Sequence, residues 1–537
     1  MTVRRSLLAV GVLLLATACT GPTGSSEGTS ATGTTLRVLA GSELSDLKPV
    51  LDKVKADTGV TVELDYTGTL DGAEAVANGT AGKKYDAVWF SSNRYLSLLP
   101  EARPRISTQQ KIMTSPVVLG LRQSAARRLG WEGKPVTWTQ IAAAAAAKEF
   151  TFGMTDPSAS NTGFSTLVGV AAALSGAGDA LATKDIDAVA PRLQTFFAGQ
   201  ALTAGSSGWL ADAYVRRASG AAGAAVDGLF NYESVLLSLN AGGKLSDPLS
   251  IIYPSDGVVT ADYPLTLLSS ASPAARTAYE KVTAALRKTD RQQQILSQTR
   301  RRPIDPTVTL PTTMGSRTLI ELPFPAQRDV VDDLLVSFQN TLRRPSRTIY
   351  VLDTSGSMKG DRIASLQAAL TGLTGADTSL TGRFARFRAR EQVTLLSFSD
   401  KTADPITVTV PPGGADAALA QIRAAVTSLK ARGNTAVYDA LDRAYDLIGV
   451  GATANGPVTS IVLMTDGENT IGSTYADFKH TFGSLPAGER AVPVYPVLFG
   501  ESATAEMRGL ATLTGGRTFD ARGATLASAF KEIRGYQ

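Results

Sequence analysis

Residues 349–358 read IYVLDTSGSM, an apolar run that ends in Asp353, Ser355 and Ser357. The apolar part reads as a central strand buried on both faces, and the polar tail as the loop at its carboxyl end. On such a loop the alternate residues Asp353, Ser355 and Ser357 can point to one centre, while Thr354 and Gly356 point away. Gly356 allows the backbone turn that brings both hydroxyls inward. Further on, Thr435 stands in RGNTAVYDAL, and Asp466 follows a second apolar strand in SIVLMTDGEN. Together the three segments supply two carboxylates and three hydroxyls, each beside a strand or helix of an α/β pattern. All donors are oxygens and no Cys or His takes part, which is the chemistry of a site for a hard divalent cation.

In this order the three segments resemble the metal-ion-dependent adhesion site of von Willebrand factor A domains. The resemblance implies a doubly wound, Rossmann-like domain over residues 346–537. Strands are expected in TIYVLD, VTLLSFSD, ITVTV, SIVLMTD, AVPVYPVLFG and RTFDA, with helices at 362–373, 414–430, after Thr435, at 502–513 and at 524–534. It implies further that Asp353, Ser355, Ser357, Thr435 and Asp466 hold Mg²⁺, with Mn²⁺ or Ca²⁺ able to substitute. In that family one exchangeable position on the ion takes an acidic residue of a protein partner. Glu468, two residues past Asp466, reads as a solvated loop residue or as a support for the groups that hold the ion.

Toward the N-terminus the pattern is again α/β. LRVLA at 36–40, a helical stretch over 46–58, VTVELDY at 60–66 and YDAVWFSSN at 85–93 set a βαβαβ rhythm, which implies a parallel sheet. Further strands are expected at 116–122, 150–154, 224–230, 249–253 and 264–269, with alanine-rich helices at 139–148 and 274–288. Six phrases in order resemble an extracellular solute-binding protein of the two-lobed periplasmic class over residues 36–302. They are GSEL, DAVWFSSN, TSPVVLGL at 114–121, TDPSASNTGFS at 155–165, VDGLFNYESVLLSLN at 226–240 and IIYPSDGVVTADYPLTLL at 251–268. The third reads as the crossing into a second lobe and the last as the return. Polar loops at the carboxyl ends of such strands form a small-ligand cleft, and Ser, Asn and Tyr there suit a small polar solute or oxyanion. Ser42, Ser91, Ser160, Asn161 and Tyr232 are the candidates, although the same residue types also make turns and helix caps.

The rest bounds the whole. At 537 residues the chain is long enough for two or three domains, and 43% hydrophobic with 19% charged residues is ordinary for globular protein. Arg4 and Arg5, the apolar run Ser6 to Ala18 and the small residues before Cys19 read as a signal peptide over 1–18. Cys19 resembles the acylated cysteine of a bacterial lipobox, which implies a palmitate-type lipid anchor on the outer face of the cell membrane. The run is shorter than the ~18–20 apolar residues that span a bilayer. Residues 19–35, rich in Gly, Ser and Thr, read as a flexible tether. Cys19 is the only Cys, so no internal disulfide is expected. Removal of Arg4 and Arg5 takes the net charge from +5 to +3, and with export this excludes nucleic acid as a natural partner.

Residues 303–345 hold five prolines before position 326 and then an amphipathic helix over 328–342, expected as a linker or wrapped arm and a helix against the last domain. Arg300, Arg301 and Arg302 read as a solvated surface. The sole histidine, His480, is expected on an exposed helix, and no nucleophile elbow, P-loop or free thiol suggests an enzyme. The leading expectation is therefore a surface lipoprotein that binds a protein partner through the metal, with the solute-binding part as sensor or second surface. The alternative is a solute receptor for an ATP-driven importer, with the last domain accessory.

Overall fold

Thr35–Gly41 is the first strand, paired in parallel with Thr61–Thr67 on one side and Ala87–Trp89 on the other. The antiparallel strands Pro264–Leu268 and Ile106–Lys111 complete a five-stranded sheet. The computed structural model describes residues 34–537 apart from 177, 179, 222, 450–455, 502 and 524; the stretch 1–18 expected as a signal peptide, Cys19 and most of the expected tether lie outside the described residues.

The chain leaves the first sheet at Ile112 and enters a second through the long strand Met113–Arg122. It returns between Val259–Ala261, which belongs to the second sheet, and Pro264–Leu268, which belongs to the first. These two crossings divide the N-terminal half into two lobes. The second sheet runs Val259–Ala261, Met113–Arg122, Gly228–Tyr232, Phe152–Thr155, Gln200–Ala204, with Leu249–Ile252 and Arg302–Pro303 paired onto Met113–Arg122. Strands Ala87–Trp89, Pro264–Leu268, Gly228–Tyr232 and Phe152–Thr155 are buried at every residue, as in sheets covered on both faces.

The segment after residue 302 departs from expectation. Arg301 and Arg302 are buried rather than solvated. Arg301 pairs with Asp46 at 2.7 Å and lies over the Tyr263 ring, and Arg302 holds both Glu233 oxygens at 2.7 Å. Their stems cover apolar surface while the guanidinium groups meet carboxylates, which makes burial tolerable. Glu321 then bridges Val258, so the arm lies against the second lobe. Helix Arg328–Ser337 and the π-turn Phe338–Leu342 do bury the expected stripe of Val331, Leu334, Leu335, Phe338 and Leu342. Its main partner is the second lobe and not the last domain. Phe338 meets Phe197 edge to face at 5.0 Å, because helix Thr183–Phe197 offers an aromatic end there.

The C-terminal domain is a six-stranded sheet in the order Ile406–Thr409, Gln392–Phe398, Ser346–Asp353, Val458–Thr465, Val494–Leu498, Phe519–Asp520. All neighbours are parallel except the edge strand Ile406–Thr409. The central strand alternates its side chains between two layers. Ile349 and Val351 pack with Tyr438, Leu441 and Phe478, while Tyr350 and Leu352 pack with Leu366, Leu370 and Phe530. The architecture is therefore α/β throughout: two lobes followed by a doubly wound sheet. Among the described residues no helix is long and apolar enough to cross a membrane.

The C-terminal domain also touches both lobes. Glu74 of the first lobe accepts hydrogen bonds from the amides of Leu380 and Thr381 at 2.8 and 3.1 Å and from the Thr381 hydroxyl at 2.7 Å. Asp156 of the second lobe is fully buried against Arg388 at 3.3 Å and Arg343 at 3.7 Å, and accepts from Gln339 at 3.0 Å. Tyr536 stands edge-on to Trp209 at 4.9 Å, and a side chain on Gly205 would begin 2.5 Å from the Tyr536 ring.

Candidate functional site

In the C-terminal domain the register carries the two aspartates to one edge. Leu352 lies opposite Met464 in the parallel pair, so Asp353 and Asp466 emerge together at the carboxyl ends of adjacent strands. The loop after Asp353 folds back on it, with the Ser355 amide donating to Asp353 Oδ1 at 2.8 Å. Ser355 and Ser357 lie 2.9 Å apart through their hydroxyls, and Ser357 donates to Asp466 Oδ1 at 2.8 Å. Four of the five expected ligands thus form one chain of hydrogen bonds. Thr435 is brought near by a different route: the Gly356 amide donates to the Gly433 carbonyl at 2.8 Å, which ties its loop to the Asp353 loop. Gly433 adopts φ +79°, and a side chain there would strike the Asp400 carboxylate at 2.2 Å, so only glycine fits. The Thr435 amide donates to Thr470 Oγ1 at 2.9 Å, and among the described residues its hydroxyl makes no hydrogen bond.

Asp353 is fully buried, and among the described residues no basic side chain pairs with it. Burial pushes its carboxyl group up, while hydrogen bonds from Thr465 (2.7 Å) and Ser355 pull it down. A carboxylate in that position lacks only a countercharge, and the hydroxyls around it offer further oxygens. The donor set therefore fits a hard divalent cation. Among the described residues no group of three or more His, Cys, Asp and Glu forms a metal site. Asp466 is buried too, but Arg362 donates to its Oδ2 at 2.5 Å from the start of helix Asp361–Thr371. Arg362 and Thr465 flank the motif and were not singled out by the sequence; each stands within a few residues of it. Glu468 is exposed, and so is His480 on helix Tyr475–Ser484.

A cavity of about 490 Å³ lies between the lobes, and Ser42, Ser91, Ser160, Asn161 and Tyr232 all line it. Ser42 is exposed there, whereas the other four are buried. Asn161 donates to the Tyr232 hydroxyl at 3.2 Å, and Ser160 and Thr162 share a 3.2 Å contact. Burial pushes the Tyr232 hydroxyl well above its ordinary range. Glu43 and Asp71 also face the cavity from the first lobe. Glu43 could have been read from the loop it shares with Ser42, whereas Asp71, on helix Thr69–Ala77, gives no local signal. The third wall is the C-terminal domain itself, through Thr381, helix Leu526–Arg534 and Tyr536. No sequence signal marks that wall.

Residues 36–288 match the family described as bacterial extracellular solute-binding protein, and residues 348–468 match the von Willebrand factor type A domain. The chain thus carries a solute-binding domain followed by an A domain. Curated relatives include inter-alpha-trypsin inhibitor heavy chain H4 of Bos taurus, 29% identical over 134 residues, and that of Sus scrofa, 30% identical over 137. Each match covers 24% of this chain and 13% of the relative, so the chain spans only a small part of their length. Similar solved structures include the periplasmic binding protein AfuA from Actinobacillus pleuropneumoniae with fructose-6-phosphate bound. Its TM-score is 0.45 at 11% identity, over 57% of this chain and 97% of that one. Iron-bound HitA from Pseudomonas aeruginosa gives 0.44 at 14%, over 56% and 97%.

Proposed function

We propose that the protein is a cell-surface receptor that binds a protein partner through a divalent cation held by Asp353, Ser355, Ser357, Thr435 and Asp466. The buried, uncompensated carboxylate of Asp353, ringed by hydroxyls, is the observation that supports this reading. When bound, Mg²⁺, or Mn²⁺ or Ca²⁺ in its place, offers an exchangeable oxygen position suited to an acidic residue of the partner. The protein's own part is to hold the oxygens in place: Thr465 and the Ser355 amide orient Asp353, and Ser357 orients Asp466. The solute-binding domain acts as sensor or second binding surface. Acylation at Cys19 anchors the exported protein to the membrane, and the chain performs no catalysis.

Calorimetry of Mn²⁺ with the full chain tests the metal, and capture from intact cells with and without chelator tests the partner. Asp353→Ala removes both kinds of binding. Thr435→Ala weakens partner capture more than Mn²⁺ binding, since four ligand residues remain. Equal Mn²⁺ binding by wild type and Asp353→Ala sinks the reading. For the anchor, Cys19→Ser shifts the protein out of the detergent phase; unchanged partitioning removes the lipid. The cavity favours a second reading, a solute receptor for an ATP-driven importer. A solute-dependent rise in melting temperature that persists in chelator, together with chelator-insensitive capture of the partner, would select it.

A further inference from the structure

The walls of the cavity differ in charge. The first lobe contributes two carboxylates, Glu43 and Asp71, and no base. The Glu43 carboxylate folds over Gly41, 2.7 Å from where a side chain on that glycine would begin. The guanidinium nearest to it, Arg301, is committed to both oxygens of Asp46 at 2.7 and 2.8 Å. Asp71 lies beside Thr381 and Lys531, and Lys531 is taken by Asp377 at 2.5 Å. Burial pushes both carboxyl groups up.

The second lobe contributes no charged side chain to the cavity, only helix starts and hydroxyls. Helix Asn161–Ser175, of 15 residues, begins there, and its N-cap Ser160 makes no capping hydrogen bond. The Gly163 amide donates to Thr155 Oγ1 at 2.7 Å, which leaves the amides of Asn161 and Thr162 open, and the helix end carries partial positive charge. Helix Ser207–Ala218, of 12 residues, begins beside it. Ser207 is only 3% exposed and lines the cavity, and among the described residues its hydroxyl has no hydrogen-bond partner. The A-domain wall is internally balanced. Arg517 pairs with Glu532 at 2.8 Å, Arg534 with Glu391 at 2.6 Å, and Asp520 with Arg522 at 2.6 Å. It closes the cavity without adding net charge.

We propose that the cavity takes a small zwitterion, its cationic group toward Glu43 and Asp71 and its anionic group at the starts of helices Asn161–Ser175 and Ser207–Ala218. This rests on the reading of the cleft as a solute site and replaces the expected oxyanion with a solute of both charges. A simple oxyanion would face two carboxylates, and a simple cation would face two helix starts, of which Ser206 caps only the Trp209 amide of the second. An ammonium-bearing carboxylate answers both.

The test is calorimetry of the full chain with four sets of probes. These are the α-amino acids and glycine betaine, then sulfate and phosphate, then choline, then glucose. The expected result is binding of at least one zwitterion and none of the others. Glu43→Gln and Asp71→Asn, both isosteric, each weaken it by about tenfold or more, as loss of a charge-assisted contact does. Ser207→Ala weakens it less. Binding of sulfate, phosphate, choline or glucose alone overturns the zwitterion while the solute site stands. Silence with all four sets overturns both. A bound zwitterion indifferent to Glu43→Gln and to Asp71→Asn also overturns the assignment.

Discussion

Asp353 and Asp466 leave adjacent parallel strands and meet through Ser355 and Ser357 inside one domain. The cleft instead gathers Ser42, Asn161 and Lys531 from two lobes and a separate domain. The Asp353 and Asp466 loops are local, with short hydrogen bonds between near neighbours in the fold, and they stand where sheet geometry puts ligands in many doubly wound domains. The cleft depends on how three bodies pack. A substitution at the Asp353 and Asp466 loops should therefore change chemistry with little change in assembly, and a substitution at the domain contact should do the reverse.

The largest effect that can break this contrast is expected at Asp156. Removing it leaves Arg388 and Arg343 buried without their shared carboxylate. Asp156→Ala should lower the stability of the full chain by about 3–5 kcal/mol in denaturant unfolding. The same variant should flatten the acid limb of stability. Although burial pushes Asp156 up, Arg388 and Arg343 with Ser158 and Gln339 hold it below the usual carboxylate range. Its contribution is present above its unfolded value of about 4 and is lost as the pH falls through the lower folded value. If Asp156→Ala and wild type lose stability equally on acidification, the ion cluster does not bind the domains together.

Next in size is Gly205→Ala. The added methyl meets the Tyr536 ring at 2.5 Å, between backbone of the second lobe and the A domain. The expected cost is about 1–3 kcal/mol, the range for overpacking, read as a lower melting temperature with Mn²⁺ affinity unchanged. A change in Mn²⁺ affinity would show that the two regions are not separate.

The smallest effect sharpens the metal side. Arg362 holds Asp466 at 2.5 Å, yet its side chain is 35% exposed and so is partly screened. It is a cation already present where a metal would draw on the same carboxylate. Arg362→Ala should tighten Mn²⁺ binding a few-fold, about 1 kcal/mol or less. Weaker binding would mean that Arg362 positions Asp466 and does not compete for it.

The different construction of the two regions also explains what could be read in advance. IYVLDTSGSM and SIVLMTDGEN each carry a strand and its polar end in one stretch, so both the strand and the aspartate that leaves it are visible locally. The polar cleft loops could be found the same way, because Ser42, Ser91 and Asn161 also stand at the ends or starts of elements. The burial of Arg301 and Arg302 could not. Their partners Asp46 and Glu233 are distant in sequence, and an arginine run looks solvated until those carboxylates arrive. The stripe on helix Arg328–Ser337 was legible as apolar, but periodicity says which face is buried and not which body covers it. For the same reason nothing local announced that helix Leu526–Arg534 would wall the cleft.

The Asp156 cluster also sets a schedule for biosynthesis. Asp156 and Arg388 are 232 residues apart. At roughly 5–20 residues per second, the second lobe waits on the order of tens of seconds for its partner guanidinium to leave the ribosome. For most of that interval a carboxylate destined for the interior has only its neighbour Ser158 and water to stabilise it, so the lobe cannot complete its final packing. Expression of the solute-binding half alone would freeze the chain at that stage. The natural unit of folding is the joined pair of domains, and attempts to obtain either as a separate fragment should be designed around that dependence.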